Sequence, residues 1–542
     1  MNFNLLWARA VADELERGGV GDAVICPGSR SAPLALALAD RLRTHVVIDE
    51  RSAAFFALGA ARMSGRRVAL LCTSGSAGAH FYPALLEAEA AGVPLLAITA
   101  DRPPELHGWG APQQLDQQRL FGTHAWFADL GLPDAEALPH LRATVARALQ
   151  QDGPAHLNAP FREPLAPIPG ALPEVRDEPA ARQERARGLP DVSAAARELS
   201  AHPRGVIVCG PRDGHDGLAG AVRELSRALG YAVLADAASG VQDGVAHADL
   251  ILRSEPWARA LRPGAVVRVG GGLSSKLLQA FAEQADRTVV VHERGEPADP
   301  GHRASRILCG DAPQILRALA AEARAQGPLA SLFGQAEQRA RAALEAAFAE
   351  APWGEPLIAR ETAAAADLLY VASSMPVRDV DAFAQRRGRV LVNRGLNGID
   401  GIVSSAAGAA AVGGTRAVAL LGDLALLHDL GGLVTASRLG IDLTVVCVNN
   451  QGGGIFHFLP IAGYPQRFEE LFGTPHSQDF EGAARMCGAE FARVSDARAL
   501  RAALQRPGAG LRLVEARTDR ARNVAQHREL QAAVVAALGD PP

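Results

Sequence analysis

Short runs of Val, Ile, Leu and Ala, each closed by a glycine or a polar turn and then followed by a longer amphipathic stretch, recur from one end of this chain to the other. A run with no polar alternation must be buried on both faces. A strand that leads into a helix returns parallel to itself. Together these requirements point to α/β architecture, mostly parallel sheets covered by helices. The chain has 542 residues, and at roughly 150 residues per domain it holds about three such units. Two Pro-rich or charged stretches, 164–190 and 323–356, interrupt the pattern, the second of them partly helical. They divide the chain into blocks at 1–176, 177–335 and 336–542.

Composition narrows the function classes. With 48% hydrophobic and 21% charged residues and a formal charge of −4, this is the make-up of an ordinary globular protein with no basic face for nucleic acid. Apolar runs are too short to span a membrane, and the first 25 residues form an amphipathic helix leading into a strand rather than a signal peptide. A cytoplasmic location is expected. The six cysteines form no C-x-x-C pair, which favours buried reduced thiols over a disulfide frame or a zinc site.

In the first block the strand candidates are "DAVICP", "THVVID", "RVALLCT" and "PLLAITA". Functional groups in such sheets collect at the carboxyl ends of the strands, which directs attention to the turns "PGSRS", "DERSA", "TSGSAG" and "ADRPPE". The middle block offers "GVIVCGPRDG" and "AVVRVGGGLSS", neither of which completes a G-x-G-x-x-G dinucleotide fingerprint. In the last block "RAVALLGD" reads as a strand ending at Asp423, "LALLHDLGGLVTASRLG" as a crossover helix, and "IDLTVVCVNN" as a strand ending at Asn450. A right-handed crossover brings Asp423 and Asn450 to one edge of the sheet. A carboxylate, an amide oxygen and a nearby carbonyl are hard oxygen ligands suited to Mg²⁺, although Asp and Asn are also common turn residues.

Lys276 is the single lysine; every other basic position is arginine. Lysine is a compact point charge and arginine a wide planar fork, so a survivor in an arginine-rich chain marks a place where the fork does not fit. Its position just after a strand-to-glycine turn puts it near a pocket.

The stretch "GDLALLHDLGGLVTASRLGIDLTVVCVNNQGGGIF" resembles the cofactor motif of the thiamine diphosphate enzymes, with Leu424 where a second glycine is usual. That departure, together with "CPGSRSAPL", "DERSAAFFALG", "TADRPPEL", "NRGLNGIDG" and "GTPHSQDF", is similar to one branch, the 2-succinyl-5-enolpyruvyl-6-hydroxy-3-cyclohexene-1-carboxylate synthases of menaquinone biosynthesis. The resemblance covers nearly the whole chain.

It implies a pyrimidine-binding domain (1–176), a central domain (177–335) and a diphosphate-binding domain (336–542). It also implies a homodimer or homotetramer with active sites at the subunit interface, and small-molecule partners only. The implied cofactors are thiamine diphosphate and Mg²⁺ or Mn²⁺, and the implied reaction is decarboxylation of 2-oxoglutarate with conjugate addition of the succinyl unit to isochorismate. By similarity Glu50 is the catalytic acid that bonds the aminopyrimidine, Ile399 holds the cofactor bent, and Asp423, Asn450 and Gly452 hold the metal on the diphosphate. Ser374, Arg378 and Arg394 fall around the 2-oxoglutarate-derived part, and Ser29, Arg30, Arg102, Gln113 and Lys276 around isochorismate. Bidentate guanidinium–carboxylate pairing gives these arginines a purpose. Ser373, Pro112 and His80 stand where relatives often have Asn, which leaves the acceptor pocket less defined than the cofactor site.

Two other readings remain open at this stage. An acetolactate-synthase-like carboligase would have no need of the carboxylate-binding set, and a non-catalytic relative would not need Glu50 together with Asp423 and Asn450. "TSGSAG" faintly resembles a nucleophile elbow, but Ser76 lacks the first glycine of G-x-S-x-G.

Overall fold

The computed structural model describes residues 3–167, 179–181, 188–213, 217–385 and 388–542. Among them are three sheets in which every strand pairing is parallel. The first holds β1 (Asp22–Ile25), β2 (Arg43–Val46), β3 (Val68–Cys72), β4 (Leu95–Asp101), β5 (Trp126–Asp129) and β6 (Ala155–Pro160). The second holds β7 (Gly205–Cys209), β8 (Ala232–Ala235), β9 (Ala265–Val269), β10 (Arg287–His292) and β11 (Arg306–Cys309). The third holds β12 (Leu368–Val371), β13 (Arg389–Val392), β14 (Ala417–Gly422), β15 (Leu443–Asn449), β16 (Glu490–Val494) and β17 (Leu511–Arg517). The central strands β3, β4, β7, β9 and β15 are buried along their whole length, as sheets with helices on both faces require.

The first sheet runs β2-β1-β3-β4-β6-β5 and the third β13-β12-β14-β15-β17-β16. These are the same order, so the two sheets are topological copies. In each, the chain leaves its first strand to one side and returns on the other, opening a switch point where ligands of such sheets bind. The second sheet, β11-β10-β9-β7-β8, has its own switch point between β7 and β9. The loops after β1 and β3, β7 and β9, and β12 and β14 are therefore the places where chemistry is expected; "PGSRS" and "TSGSAG" fall on them, while "DERSA" follows β2 and "ADRPPE" follows β4.

The expected crossover between β14 and β15 is present but divided: helices Asp423–His428 and Leu430–Arg438 meet at Asp429. Its buried carboxylate accepts from the Ser404 backbone N–H at 2.7 Å and the Ser404 hydroxyl at 2.8 Å. Asp423 itself starts the helix rather than ending the strand.

One compact unit combines the first sheet with Gly401–Gly414 and Asp429–Asp442; the other combines the second and third sheets. Within the first, helix Ile402–Gly413 lies directly on helix Glu50–Ser64. A Cβ on Gly59 would come 1.8 Å from the Ser405 carbonyl oxygen, and one on Gly408 would come 1.9 Å from that of Phe56. Only glycine permits so close a backbone approach. The sequence boundary at 176/177 lies outside the described residues, and that at 335/336 falls inside helix Leu329–Glu350. Five of the six cysteines are buried, while Cys309 is exposed. Among the described residues no helix is long and apolar enough to cross a membrane.

Candidate active site

The carboxyl edge of the third sheet gathers most of the nominated residues. Parallel pairing of β14 with β15, Gly422 opposite Val448, delivers Asp423 and Asn450 to that edge. The Asp423 carboxylate, 1% exposed, accepts from the backbone N–H of Leu424 at 2.7 Å and of Gly452 at 3.0 Å, and stands 3.3 Å from His476 Nε2. Burial pushes its carboxyl above the usual range, opposed by His476 and the two backbone donors. Asn450 donates through Nδ2 to Glu355 Oε1 at 2.8 Å, while its Oδ1 is buried without a hydrogen-bond partner. The main chain between them is held open. Arg520 caps the carbonyls of Asn450 and Gln451, Gln451 is left-handed (φ 61°), and Gly452 has φ 145°, where a Cβ would meet Gly473 O at 2.1 Å.

A buried carboxylate and an amide oxygen with no partner among the described residues, drawn together through Gly452, gather hard oxygen atoms of the kind that suit a divalent cation. The donor set fits a Mg²⁺ or Mn²⁺ ion. Ile399, 38% exposed, projects from the loop that follows β13, where Asn397 is left-handed (φ 61°).

Beside this corner lies a cationic cluster. The Arg378 guanidinium, just after β12, donates to the carbonyls of Ser374 at 2.6 Å and Ser373 at 3.1 Å. Burial, and then the like charge of Arg394, pulls its pKa down. Ser373 Oγ is tied to the Asn393 carbonyl at 2.5 Å, which anchors the "SSMPVRD" turn to the "VNRG" turn. Arg394 reaches the Leu273 carbonyl at 3.3 Å, while its Nε and Nη1 are buried without partners. Leu273 opens the turn into the helix Lys276–Ala282, capped by Ser275 Oγ accepting from Leu278 N. Lys276 takes the first helical position, is exposed, and has no ion pair among the described residues. A cation there opposes the helix dipole by about 0.3–1 kcal/mol, so nothing local accounts for it.

The first sheet carries a separate group. Glu50 is half-buried at the first position of helix Glu50–Ser64, whose cap Asp49 accepts from Arg51 N at 2.9 Å and Ser52 N at 3.2 Å. Burial, then the Glu50 charge, pushes the nearby Cys26 thiol up. Ser29 is exposed after β1. Arg30, 7% exposed, donates to Phe161 O at 2.9 Å and pairs with Glu163 at 3.2 Å; burial and then Arg102 lower its pKa. Arg102, after β4, and Gln113 converge on Ser74: Arg102 Nη1 donates to its hydroxyl at 3.1 Å and Gln113 Nε2 to its carbonyl at 3.1 Å. Gln113 is left-handed, φ 58°, as functional-site residues held by their surroundings often are.

Lys276 therefore shares a corner with Arg394, whereas Ser29, Arg30, Arg102 and Gln113 share the first sheet. Sequence reasoning overlooked Ser74, Glu355 and His476. Ser74 and His476 stand inside the motifs "TSGSAG" and "GTPHSQDF", where a hydroxyl next to a glycine turn and a histidine were visible signals. Glu355 left no signal, because its significance comes from a contact 95 residues away in sequence.

Comparison with known proteins agrees with this geometry. Residues 7–120 match the thiamine pyrophosphate enzyme N-terminal binding domain, 178–368 the middle domain of thiamine pyrophosphate enzymes, and 376–514 the C-terminal binding domain. A 2-succinyl-5-enolpyruvyl-6-hydroxy-3-cyclohexene-1-carboxylate synthase of Myxococcus xanthus is 52% identical over 100% of this chain and 99% of its own length. Those of Thermobifida fusca (44%; 99% and 100%) and Geobacillus kaustophilus (42%; 97% and 97%) are also similar. With all three sheets accounted for, and relatives aligned from end to end, the chain belongs to the 2-succinyl-5-enolpyruvyl-6-hydroxy-3-cyclohexene-1-carboxylate synthase family of thiamine diphosphate enzymes.

Proposed function

We propose that this chain is a thiamine diphosphate-dependent transferase of menaquinone biosynthesis that decarboxylates 2-oxoglutarate and joins the succinyl unit to isochorismate by conjugate addition. The observation that supports it best is the pairing of two unlike features at one sheet edge: hard oxygen atoms at Asp423 and Asn450, and positive charge at Arg378 and Arg394 with no ion pair among the described residues, to which the turn before Lys276 is tied through the Leu273 carbonyl. Thiamine diphosphate, when bound, supplies the thiazolium carbon that stabilises negative charge beside it.

The chain's own residues supply position and charge. Asp423, Asn450 Oδ1 and the Gly452 carbonyl would hold Mg²⁺ or Mn²⁺, which would supply positive charge for the diphosphate. Glu50 would hydrogen-bond the aminopyrimidine and hold a proton there, and Ile399 would pack against the cofactor. Ser374, Arg378 and Arg394 bind the carboxylates of 2-oxoglutarate; the two unpartnered Arg394 donors otherwise cost about 1–3 kcal/mol each. Ser29, Arg30, Arg102, Gln113 and Lys276 bind isochorismate, Lys276 as a compact ammonium partner of a carboxylate. A homodimer or homotetramer completes each site, with Glu50 from one copy and the metal corner from another.

The test is isochorismate consumption by purified protein with thiamine diphosphate and Mg²⁺, run with 2-oxoglutarate, with pyruvate and with no donor. Consumption and CO₂ release with 2-oxoglutarate alone are expected. CO₂ from another 2-oxo acid with isochorismate untouched would discard the substrate assignment and keep the cofactor site.

A further inference from the structure

We infer that Glu355 is a positioning residue that fixes the Asn450 side chain with its oxygen, and not its nitrogen, toward the metal corner. This rests on the reading of Asn450 as a metal ligand. An asparagine amide is nearly symmetrical in shape, and only one of its ends can bind a cation. Whether the correct end is presented depends on what the other end meets.

In this chain the other end meets Glu355 Oε1, 2.8 Å from Asn450 Nδ2. The same oxygen also accepts from Thr518 Oγ1 at 3.2 Å. Two donors converge on that one oxygen, so it shows the amide only lone pairs. Rotating the amide by half a turn would set two acceptors face to face in a buried place, since Glu355 is 3% exposed. It would also leave Nδ2 beside the cation. A Cβ on Gly454 would come 2.6 Å from Nδ2, so the amide fits here because residue 454 has no side chain, and the choice between its two ends falls to the hydrogen bond with Glu355. The consequence is visible in the free oxygen, because Oδ1 is buried and has no hydrogen-bond donor. On this reading Glu355 is not itself a ligand and acts through its hydrogen bond to Asn450. Its place in the fold suits that role, since it begins helix Glu355–Ala365 immediately after Gly354 and is held from behind by the Thr518 hydroxyl.

Partners that orient a ligand of a metal are commonly worth 10–100-fold in metal affinity. The test compares Glu355→Met, which keeps bulk and removes the acceptor, with Glu355→Gln, which keeps an acceptor oxygen and removes the charge. Each protein, loaded with thiamine diphosphate, is titrated with Mn²⁺ while free Mn²⁺ is followed by electron paramagnetic resonance, and folding is checked by circular dichroism. The expected result is a loss of about 10–100-fold for Glu355→Met and of about threefold or less for Glu355→Gln, with KM for 2-oxoglutarate unchanged in both. Unchanged Mn²⁺ affinity in Glu355→Met would overturn the inference. So would equal losses in the two variants, which would assign the effect to charge rather than to amide orientation. If Glu355→Met does not fold, a loss above tenfold in Glu355→Gln alone overturns it. Wild-type protein that takes up thiamine diphosphate but no Mn²⁺ would fault the ligand role of Asn450 itself, a failure distinct from that of Glu355.

Discussion

The two topologically identical sheets handle positive charge in opposite ways. At the carboxyl edge of the first, Arg30 has Glu163 for a counter-charge, and Arg102 spends its donors on Ser74 and the Pro112 carbonyl. Behind them lies a buried network: Asn158 bonds Asp101, Asp129, Thr99 and Gln117, and Thr99 also meets His156. At the carboxyl edge of the third, the hydrogen bonds of Arg378 and Arg394 go to carbonyls, and two Arg394 donors have no partner among the described residues. The first edge gives its buried arginine a counter-charge, although Arg30 Nε and His156 Nδ1 have no hydrogen-bond partner among the described residues. The third has no ion pair to Arg378 or Arg394 among the described residues.

Removing the unmet charge should therefore cost most. Arg394→Ala is expected to lower kcat/KM for 2-oxoglutarate about 100- to 1000-fold, roughly 3–4 kcal/mol, in an assay of CO₂ release. Arg30→Ala should leave that release within a few-fold, and an equal loss there would break the contrast between the edges. Next in size, Lys276→Arg should reduce kcat/KM for isochorismate by about tenfold, or 1.4 kcal/mol, while initial CO₂ release continues. Normal kinetics for both substrates would remove the special role of lysine.

The frame of the first edge should declare itself in stability instead. Burial holds the His156 imidazole down at about 3, against an ordinary 6.5. Below pH 6.5 the unfolded chain gains a proton that the folded chain refuses, so stability is full above 6.5 and is lost as pH falls toward 3. The slope is up to about 1.4 kcal/mol per pH unit. Melting curves of wild type and His156→Phe should converge as pH drops through that window; parallel curves would show that the frame tolerates a charged His156. The smallest effect belongs to Glu163→Gln. That carboxylate is 72% exposed, so its pairing with Arg30 should be worth no more than about 1 kcal/mol in a denaturant titration. A larger loss would mean the counter-charge is structural.

How much of this was legible beforehand differs by kind of feature. Apolar runs locate the central strands because burial on both faces writes itself into composition, as in "RVALLCT" and "IDLTVVCVNN". Edge strands such as β5, β8 and β11 are four residues long and carry too few side chains to announce a period. The single crossover helix expected after β14 divides because the Asp429 carboxylate is drawn to Ser404, a contact 25 residues back along the chain. The metal-corner residues could be paired from sequence since one crossover fixes their edge. The grouping of Lys276 with Arg394 could not, because it depends on how the turn at Leu273 meets the turn after β13.

The Gly59 and Gly408 contact carries a further consequence for how the molecule is made. A ribosome releases the first sheet long before it releases residues 401–442, yet helix Glu50–Ser64 finds its tightest neighbour there. Until that late segment emerges, the nascent first domain has a glycine-notched apolar face with no cover, and its burial waits on a contact of high sequence separation, which is slow to form. A fragment stopped near residue 185 should on this view be sticky and chaperone-dependent, although it contains every strand of its own sheet.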